Sequence, residues 1–337
     1  MKHLFALGLV LLVTTAGRAQ LFPELGGQRV GISGLTFLKN DVSPRSQGMG
    51  GAHAALDGDG YAFFTNPAAT TDAIGPTLST SNYFLGDGLH HAFLGGIMPT
   101  GGDGTWSFGV TSLTTGWMER RTEFQPQGTG EFFTATNLAV GAGYARRLSD
   151  RFQFGLNAKY VLEQLAEYRS HSVLADLGFL YRTDWNDLQF AVVLQNFGPS
   201  SRLRGDALPV TFNRTGVNTE SFPAPTLFKM SVSAVAYQDE NQSLLLAAQL
   251  NHPNDNAENI RLGVEYDYQS FVQLRAGYKF NVEGERLPTA GVGVRTRLGR
   301  HPLRFDYGLN PTRYLGLLHS VGLQFTLNRA QRSRDDA

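Results

Sequence analysis

The chain has 337 residues, 29 basic and 29 acidic side chains, and no cysteine. Balanced charge removes the basic footprint of a nucleic-acid binder, and the missing cysteine removes disulfide frameworks, Cys-based zinc sites and a lipidated N-terminal cysteine. Charged residues at 17%, aromatics at 11% and 39 glycines suit an all-β protein with many tight turns.

The first residues read as a targeting segment. Lys2 and His3 precede an apolar run from Leu4 to Val13, and Gly17-Arg18-Ala19 supplies small residues for cleavage. A signal peptide is expected over 1–19, with the mature chain starting at Gln20. An apolar run of about ten residues is too short for a membrane helix. No later segment is a better candidate, so entry into a membrane would have to use strands.

Residues 20–76 lack sustained alternation and carry Gly26-Gly27, Gly48-Met49-Gly50-Gly51, Asp57-Gly58-Asp59-Gly60 and Asn66-Pro67-Ala68-Ala69. Asn66 reads as a helix cap with Pro67 at the first helical position. The segment is either an N-terminal plug or a plain extension.

From residue 77 a period of two takes over. Strands are predicted at 77–85, 90–98, 105–113, 135–147, 152–163, 172–182, 188–197, 226–237, 243–251, 259–268, 271–280, 289–298, 303–310 and 317–327. In the fifth, Phe152, Phe154, Leu156, Ala158, Tyr160 and Leu162 share one face; Gln153, Gly155, Asn157, Lys159 and Glu163 share the other. Such alternation fits a half-buried sheet or a membrane barrel, apolar towards lipid.

The connections separate the two. Leu148–Arg151, Asp184–Asp187, Gln238–Gln242, Gln269–Ser270 and Gly299–Pro302 are short and follow even-numbered strands. The long loops, around 114–134 and 198–225, follow the third and seventh strands. Short turns at one end and long loops at the other are the asymmetry of outer-membrane barrels. The expected fold is an all-β, fourteen-stranded antiparallel transmembrane barrel over 77–327 with an N-terminal plug segment, in the cell outer membrane. Residues 328–337 read as a charged C-terminal tail.

Little points to catalysis. Asp57-Gly58-Asp59-Gly60 is half a calcium loop without its remaining ligands and reads as a solvated turn. His90-His91 are adjacent, the other histidines are scattered, and no metal site is expected. His171–Ser172 and His319–Ser320 are the obvious candidates for a lipase-like Ser–His pair. No nucleophile elbow or phosphate-binding loop occurs, so no enzyme and no cofactor are expected.

Charge does suggest an arrangement inside. Arg261, Arg275, Lys279, Arg295, Arg297 and Arg304 share the inward parity with Glu265 and Asp306, giving a basic lumen wall. Asp41, Asp57, Asp59 and Asp72 outnumber Arg45 in the N-terminal segment, and opposite charges attract strongly in a dehydrated lumen. Docking of the segment on that wall is the expectation, against inward charges that merely solvate a pore. Trp117, Met118, Phe124, Phe132 and Phe133 make the first long loop apolar enough to be a partner surface, with an inward-folding lid or an extension of the strands above the membrane as the alternatives.

Several stretches resemble one family. Phe37-Leu38, Ser43 to Ala52 with Arg45, Gly48, Met49, Gly50 and Gly51, and Asn66-Pro67-Ala68 look like the N-terminal signature of the PorV/PorQ outer-membrane proteins. Asp176-Leu177-Gly178, Gln195-Asn196-Phe197-Gly198-Pro199, Leu262-Gly263-Val264-Glu265-Tyr266, Arg275-Ala276-Gly277-Tyr278, Asp306-Tyr307, Leu315-Gly316 and His319 continue the match. That family belongs to the type IX secretion system of Bacteroidetes. The resemblance implies a barrel like that of the fatty-acid transporter FadL, with a plug. It implies a role in secretion rather than nutrient uptake, binding or shuttling secreted cargo at the cell surface through the loops 114–134 and 198–225, with outer-membrane lipid and the proteins of the translocon or attachment complex as the other partners. Channelling of hydrophobic small molecules is the alternative function that the FadL-like barrel leaves open.

Overall fold

The computed structural model describes residues 31–57, 59–86, 88–205, 219–285 and 287–328. The expected signal peptide, the start at Gln20 and all of the tail beyond Asn328 lie outside the described residues.

Fourteen strands form one closed antiparallel barrel. They are β1 Thr77–Phe84, β2 His90–Pro99, β3 Gly104–Thr114, β4 Ala135–Arg147, β5 Phe152–Leu165, β6 Tyr168–Arg182 and β7 Gln189–Phe197. The circuit continues with β8 Leu227–Gln238, β9 Gln242–Pro253, β10 Asn259–Tyr268, β11 Val272–Phe280, β12 Thr289–Leu298, β13 His301–Thr312 and β14 Gly316–Thr326. Each strand pairs with the next in sequence, and β1 closes the circle on β14 from Thr77↔Thr326 to Phe84↔His319. Closure leaves no edge with unpaired backbone groups, which is the condition for strands to stand in lipid.

The alternating side chains settle which medium lies outside. Along β5, Leu156 and Tyr160 are 46% and 50% exposed, while Gln153, Asn157 and Lys159 are at most 3% exposed. Apolar side chains therefore face outwards and polar ones inwards. The half-buried soluble sheet, the other possibility that alternation left open, is excluded by this polarity. The outward apolar belt recurs in Leu94, Val140, Phe190, Leu246, Leu274 and Phe305 around the barrel. Among the described residues no helix is long and apolar enough to cross a membrane. Strands do so instead.

Predicted and observed strands correspond one to one, with one instructive difference. β6 begins at Tyr168 rather than 172, so a two-residue turn joins it to β5. The added residues Tyr168–His171 are mostly polar and extend the ladder above the apolar belt, where alternation gives no signal. Between β6 and β7 the register shifts by one residue. Asn196 takes φ 57° there, and its N–H donates to Asp176 Oδ1 at 2.8 Å.

Both chain ends of the barrel and the turns after even-numbered strands lie at one end, and the two long loops lie at the other, beside the short β5–β6 and β13–β14 turns; the first is the periplasmic end by the outer-membrane rule. If the outward face meets lipid, Leu156→Arg, mid-way along its apolar run, should destabilise the barrel by about 2–4 kcal/mol. Urea unfolding from lipid vesicles measures this, and an unchanged midpoint would contradict the orientation.

Candidate functional site

A fourteen-stranded wall encloses more space than inward side chains fill, since eight strands already suffice for a packed interior. Residues 35–73 occupy that space. They include helices α1 Pro44–Gly48 and α2 Ala62–Thr65 and two 3₁₀ turns, Thr36–Lys39 and Pro67–Asp72. Ser43 caps α1, its Oγ accepting from Ser46 N at 3.3 Å. Asn66 Oδ1 accepts from Ala68 N at 3.0 Å, the cap its sequence suggested.

Arg45 is the centre of the contact with the wall. Its Nε and Nη2 donate to the two oxygens of Glu265 on β10 at 2.8 and 2.6 Å, and its Nη1 donates to Asp57 O at 2.8 Å. Arg275 on β11 donates to Glu265 at 2.6 Å and to Asp306 on β13 at 2.8 Å. Arg304 donates to Asp306 at 3.1 Å. Burial works against the charge on Arg45, and Glu265 more than offsets it, so the guanidinium pKa rises.

Asp59 completes this network through His53 at 2.5 Å, Ser43 Oγ at 3.0 Å and Gln324 Nε2 at 3.1 Å. Burial opposes its charge, but His53, Arg304 and Arg45 hold its carboxyl well below the usual carboxylate range. Its stabilising contribution is therefore complete above the usual carboxylate pKa, and is lost only as pH falls through the lower folded value.

The charge expectation needs correcting in its polarity. The wall contributes acids, Glu265 and Asp306, and the N-terminal segment contributes the arginine. The acids of the segment do meet cations, on other strands. Asp57 pairs with Arg182 at 2.6 Å, and Asp72 with Arg147 and Arg182 at 3.4 and 3.5 Å, on β4 and β6. Lys279 pairs with Glu285, and Arg295 with Asp267 at 2.7 Å, so neither reaches the segment. Arg261 lies against Gly51, and Arg297 is exposed at the turn end. Parity identified what points inwards. It carried no information on height along the barrel.

Glycine is the second means of docking. A Cβ on Gly291 of β12 would meet Gly48 Cα at 3.0 Å, and one on Gly263 of β10 would meet Met49 O at 2.7 Å. Gly277 of β11 lies directly against Met49 and Gly50, which itself has φ 66°. Across the lumen, Gly155 of β5 and Gly178 of β6 receive Pro67 and Asn66. The composition suggested glycines for turns. These instead sit in mid-strand, where a side chain would fill the space the segment's backbone occupies.

One part of the inner wall is apolar. Phe93 of β2, Ala139 of β4, Val161 of β5 and Leu174 of β6 point inwards and are at most 3% exposed. Phe37, Leu38, Phe63 and Phe64 of the segment pack on them. The loop after β7 joins this cluster through Ala224, and Pro223 O accepts from Gly34 N at 3.1 Å. The described end of that loop, at Pro223 and Ala224, thus touches the segment. Its residues 206–218 lie outside the described residues.

The loop after β3 behaves differently. Met118–Glu119 pairs with Phe132–Phe133 in a short hairpin, leaving Trp117 and Phe124 78% and 95% exposed. Arg120 links Glu131 at 3.2 Å to Glu167 at 3.3 Å and braces the hairpin against the turn before β6. At the turn end, a cavity of about 450 Å³ opens between Ile74, Ile97, Leu303 and the arginines 295, 297 and 304.

The Ser–His candidates do not form pairs. His171 faces outwards against Tyr160 while Ser172 points inwards, and His319 accepts or donates with Tyr307 while Ser320 donates to Gly308 O. Neighbouring strand residues point to opposite faces and cannot share a substrate. No metal-binding cluster of His and acidic residues occurs among the described residues.

No family model matches the chain, and no curated protein does. Solved structures do. The toluene transporter TbuX of Ralstonia pickettii aligns with TM-score 0.54 and 13% identity over 84% of this chain and 96% of that one. The monoaromatic hydrocarbon channel CymD aligns with TM-score 0.54 and 13% identity over 86% and 98%. The fold is that of the FadL-like outer-membrane barrels. These neighbours are a transporter and a channel, with no enzyme between them.

Arg45→Met leaves buried Glu265 short of one partner, a change that costs about 3–5 kcal/mol when nothing else compensates. The expected readout is protease cleavage within residues 35–73 while the strands stay intact. Resistance equal to that of the parent would show that Arg45 does not hold the segment.

Proposed function

We propose that this chain is an outer-membrane channel for hydrophobic small molecules, with residues 31–76 acting as the plug that closes it. The observation that carries this reading is the inward apolar patch of Phe93, Ala139, Val161 and Leu174. A lumen serving ions or sugars is lined with polar groups, whereas apolar solutes need an apolar, concave lining. Here that lining is filled by Phe37, Phe63 and Phe64, so solute entry requires these side chains to move aside. The described end of the loop after β7 packs against the same chamber through Ala224. The named solutes of the structural neighbours, toluene and monoaromatic hydrocarbons, are of this class.

A second reading is favoured by two other observations: the segment packs against opposite sides of the lumen wall, and the aromatic hairpin after β3 projects into solvent. A barrel that works through its outer loops needs a rigid body and an exposed apolar surface. With the motifs resembling PorV/PorQ, this would be a type IX secretion component holding translocon or attachment proteins and secreted cargo on Trp117, Phe124 and Phe132.

The two readings separate experimentally. Reconstituted barrel should speed toluene entry into vesicles, and Leu174→Asn should slow it roughly tenfold, the equivalent of about 1.4 kcal/mol. Toluene entry no faster than through protein-free vesicles would end the channel reading. Deleting residues 31–76 should raise single-channel conductance, and an unchanged current would remove the plug. For the secretion reading, gene deletion should strip the cell surface of proteins carrying the type IX signal domain. Their undiminished arrival would dispose of it.

A further inference from the structure

The lumen contains a second charged region, nearer the loop end than the Arg45 network. Lys229 and Arg261 enter it from the loop-end portions of β8 and β10. They line a cavity of about 30 Å³ between the wall and the N-terminal segment, together with Asp41, Gln249, Gln195 and His53.

Most charges nearby are matched. Lys39 pairs with Asp255 at 2.7 Å, Lys159 with Asp176 at 2.8 Å, and Lys279 with Glu285. Arg45, Arg275 and Arg304 face the three carboxylates of Glu265, Asp306 and Asp59. Among the described residues, two cations and one acid remain. Asp41 is engaged by Ser43 N at 3.0 Å and by the Ser46 hydroxyl. Arg261 Nε donates to Asn259 Oδ1 at 3.0 Å, a neutral acceptor. The Lys229 ammonium makes no hydrogen bond or ion pair with any described residue.

Lys229 and Arg261 are partly buried, and a cation only partly reached by water and without a counter-charge is unfavourable. The remaining group carries one surplus positive charge. The cavity has more than the ~10–15 Å³ that a single water requires. A space of this order suits a single small ion. Charge and size together select one small monovalent anion.

We propose that this cavity binds a single halide, chloride in the native setting, between Lys229 and Arg261. The ion neutralises the surplus charge where the segment from Leu38 to Asp41 meets the wall, and so fastens the loop end of the segment as Arg45 fastens its middle. The site stands apart from the apolar chamber and does not depend on what the barrel carries.

Crystals of the wild-type protein grown with bromide should show an anomalous peak in contact with Lys229 Nζ and the Arg261 guanidinium. In solution the thermal midpoint should rise with chloride and saturate, compared with gluconate at equal ionic strength. Lys229→Met should abolish both the peak and the saturable rise. A water alone in the wild-type cavity, or a halide response equal in wild type and variant, would overturn the proposal. Because neither readout involves transport, either result leaves the channel reading to its own test.

Discussion

A closed wall of fourteen strands has a circumference set by strand number, and the interior it defines is too wide for its own side chains to fill. Left empty, it would be a water channel; filled, it needs matter from elsewhere in the chain. Here residues 35–73 provide that matter, and most features of the inner wall follow from receiving them. Wall glycines at Gly263, Gly277 and Gly291 make room for backbone rather than for turns. On the opposite side Gly155 and Gly178 do the same for Asn66 and Pro67. The segment thus meets the wall at van der Waals distance on both sides, which side chains larger than hydrogen would prevent.

Buried ion pairs add position more than they add stability, because desolvation consumes most of the Coulombic gain. The network around Arg45 fits that description. Glu265 accepts from Arg45 and Arg275 together, and Asp306 from Arg275 and Arg304. Sliding α1 by one turn along the wall would leave several of these groups unpaired at once. Such a contact defines one docked position and penalises neighbouring ones. The rings of Phe37, Phe63 and Phe64 make no hydrogen bond and can swing aside, while the backbone carbonyls of Phe63 and Phe64 stay held by Asn157 and Gln195 of the wall. A polar anchor beside an apolar, replaceable filling is the physical basis of the channel proposed here.

Much of the fold was legible because lipid imposes a strict rule on each strand. Apolar and polar residues must alternate for about ten residues at a time, and a slip of one residue reverses every side chain. Fourteen strands, their order and the face of each, as in Phe152 to Leu162 against Gln153 to Glu163, could therefore be read directly. The same rule fails where lipid is absent. Tyr168–His171 lie above the apolar belt and were missed as strand, and Val161 and Leu174 were assigned no role because inward positions were expected to be polar.

Sequence alone thus determined the number of strands, which face of each looks at lipid, and which end carries the long loops, since each depends only on neighbours along one strand or turn. It also located Asn66-Pro67 and Arg45 as noteworthy. Only the tertiary structure decided that Arg45 meets Glu265, that Asp57 and Asp72 turn to Arg182 rather than to the arginines of β11 to β13, and that one loop touches the segment at its described end while another projects. Those outcomes depend on heights and distances across a lumen, between residues separated by up to 220 positions. No local period carries that information.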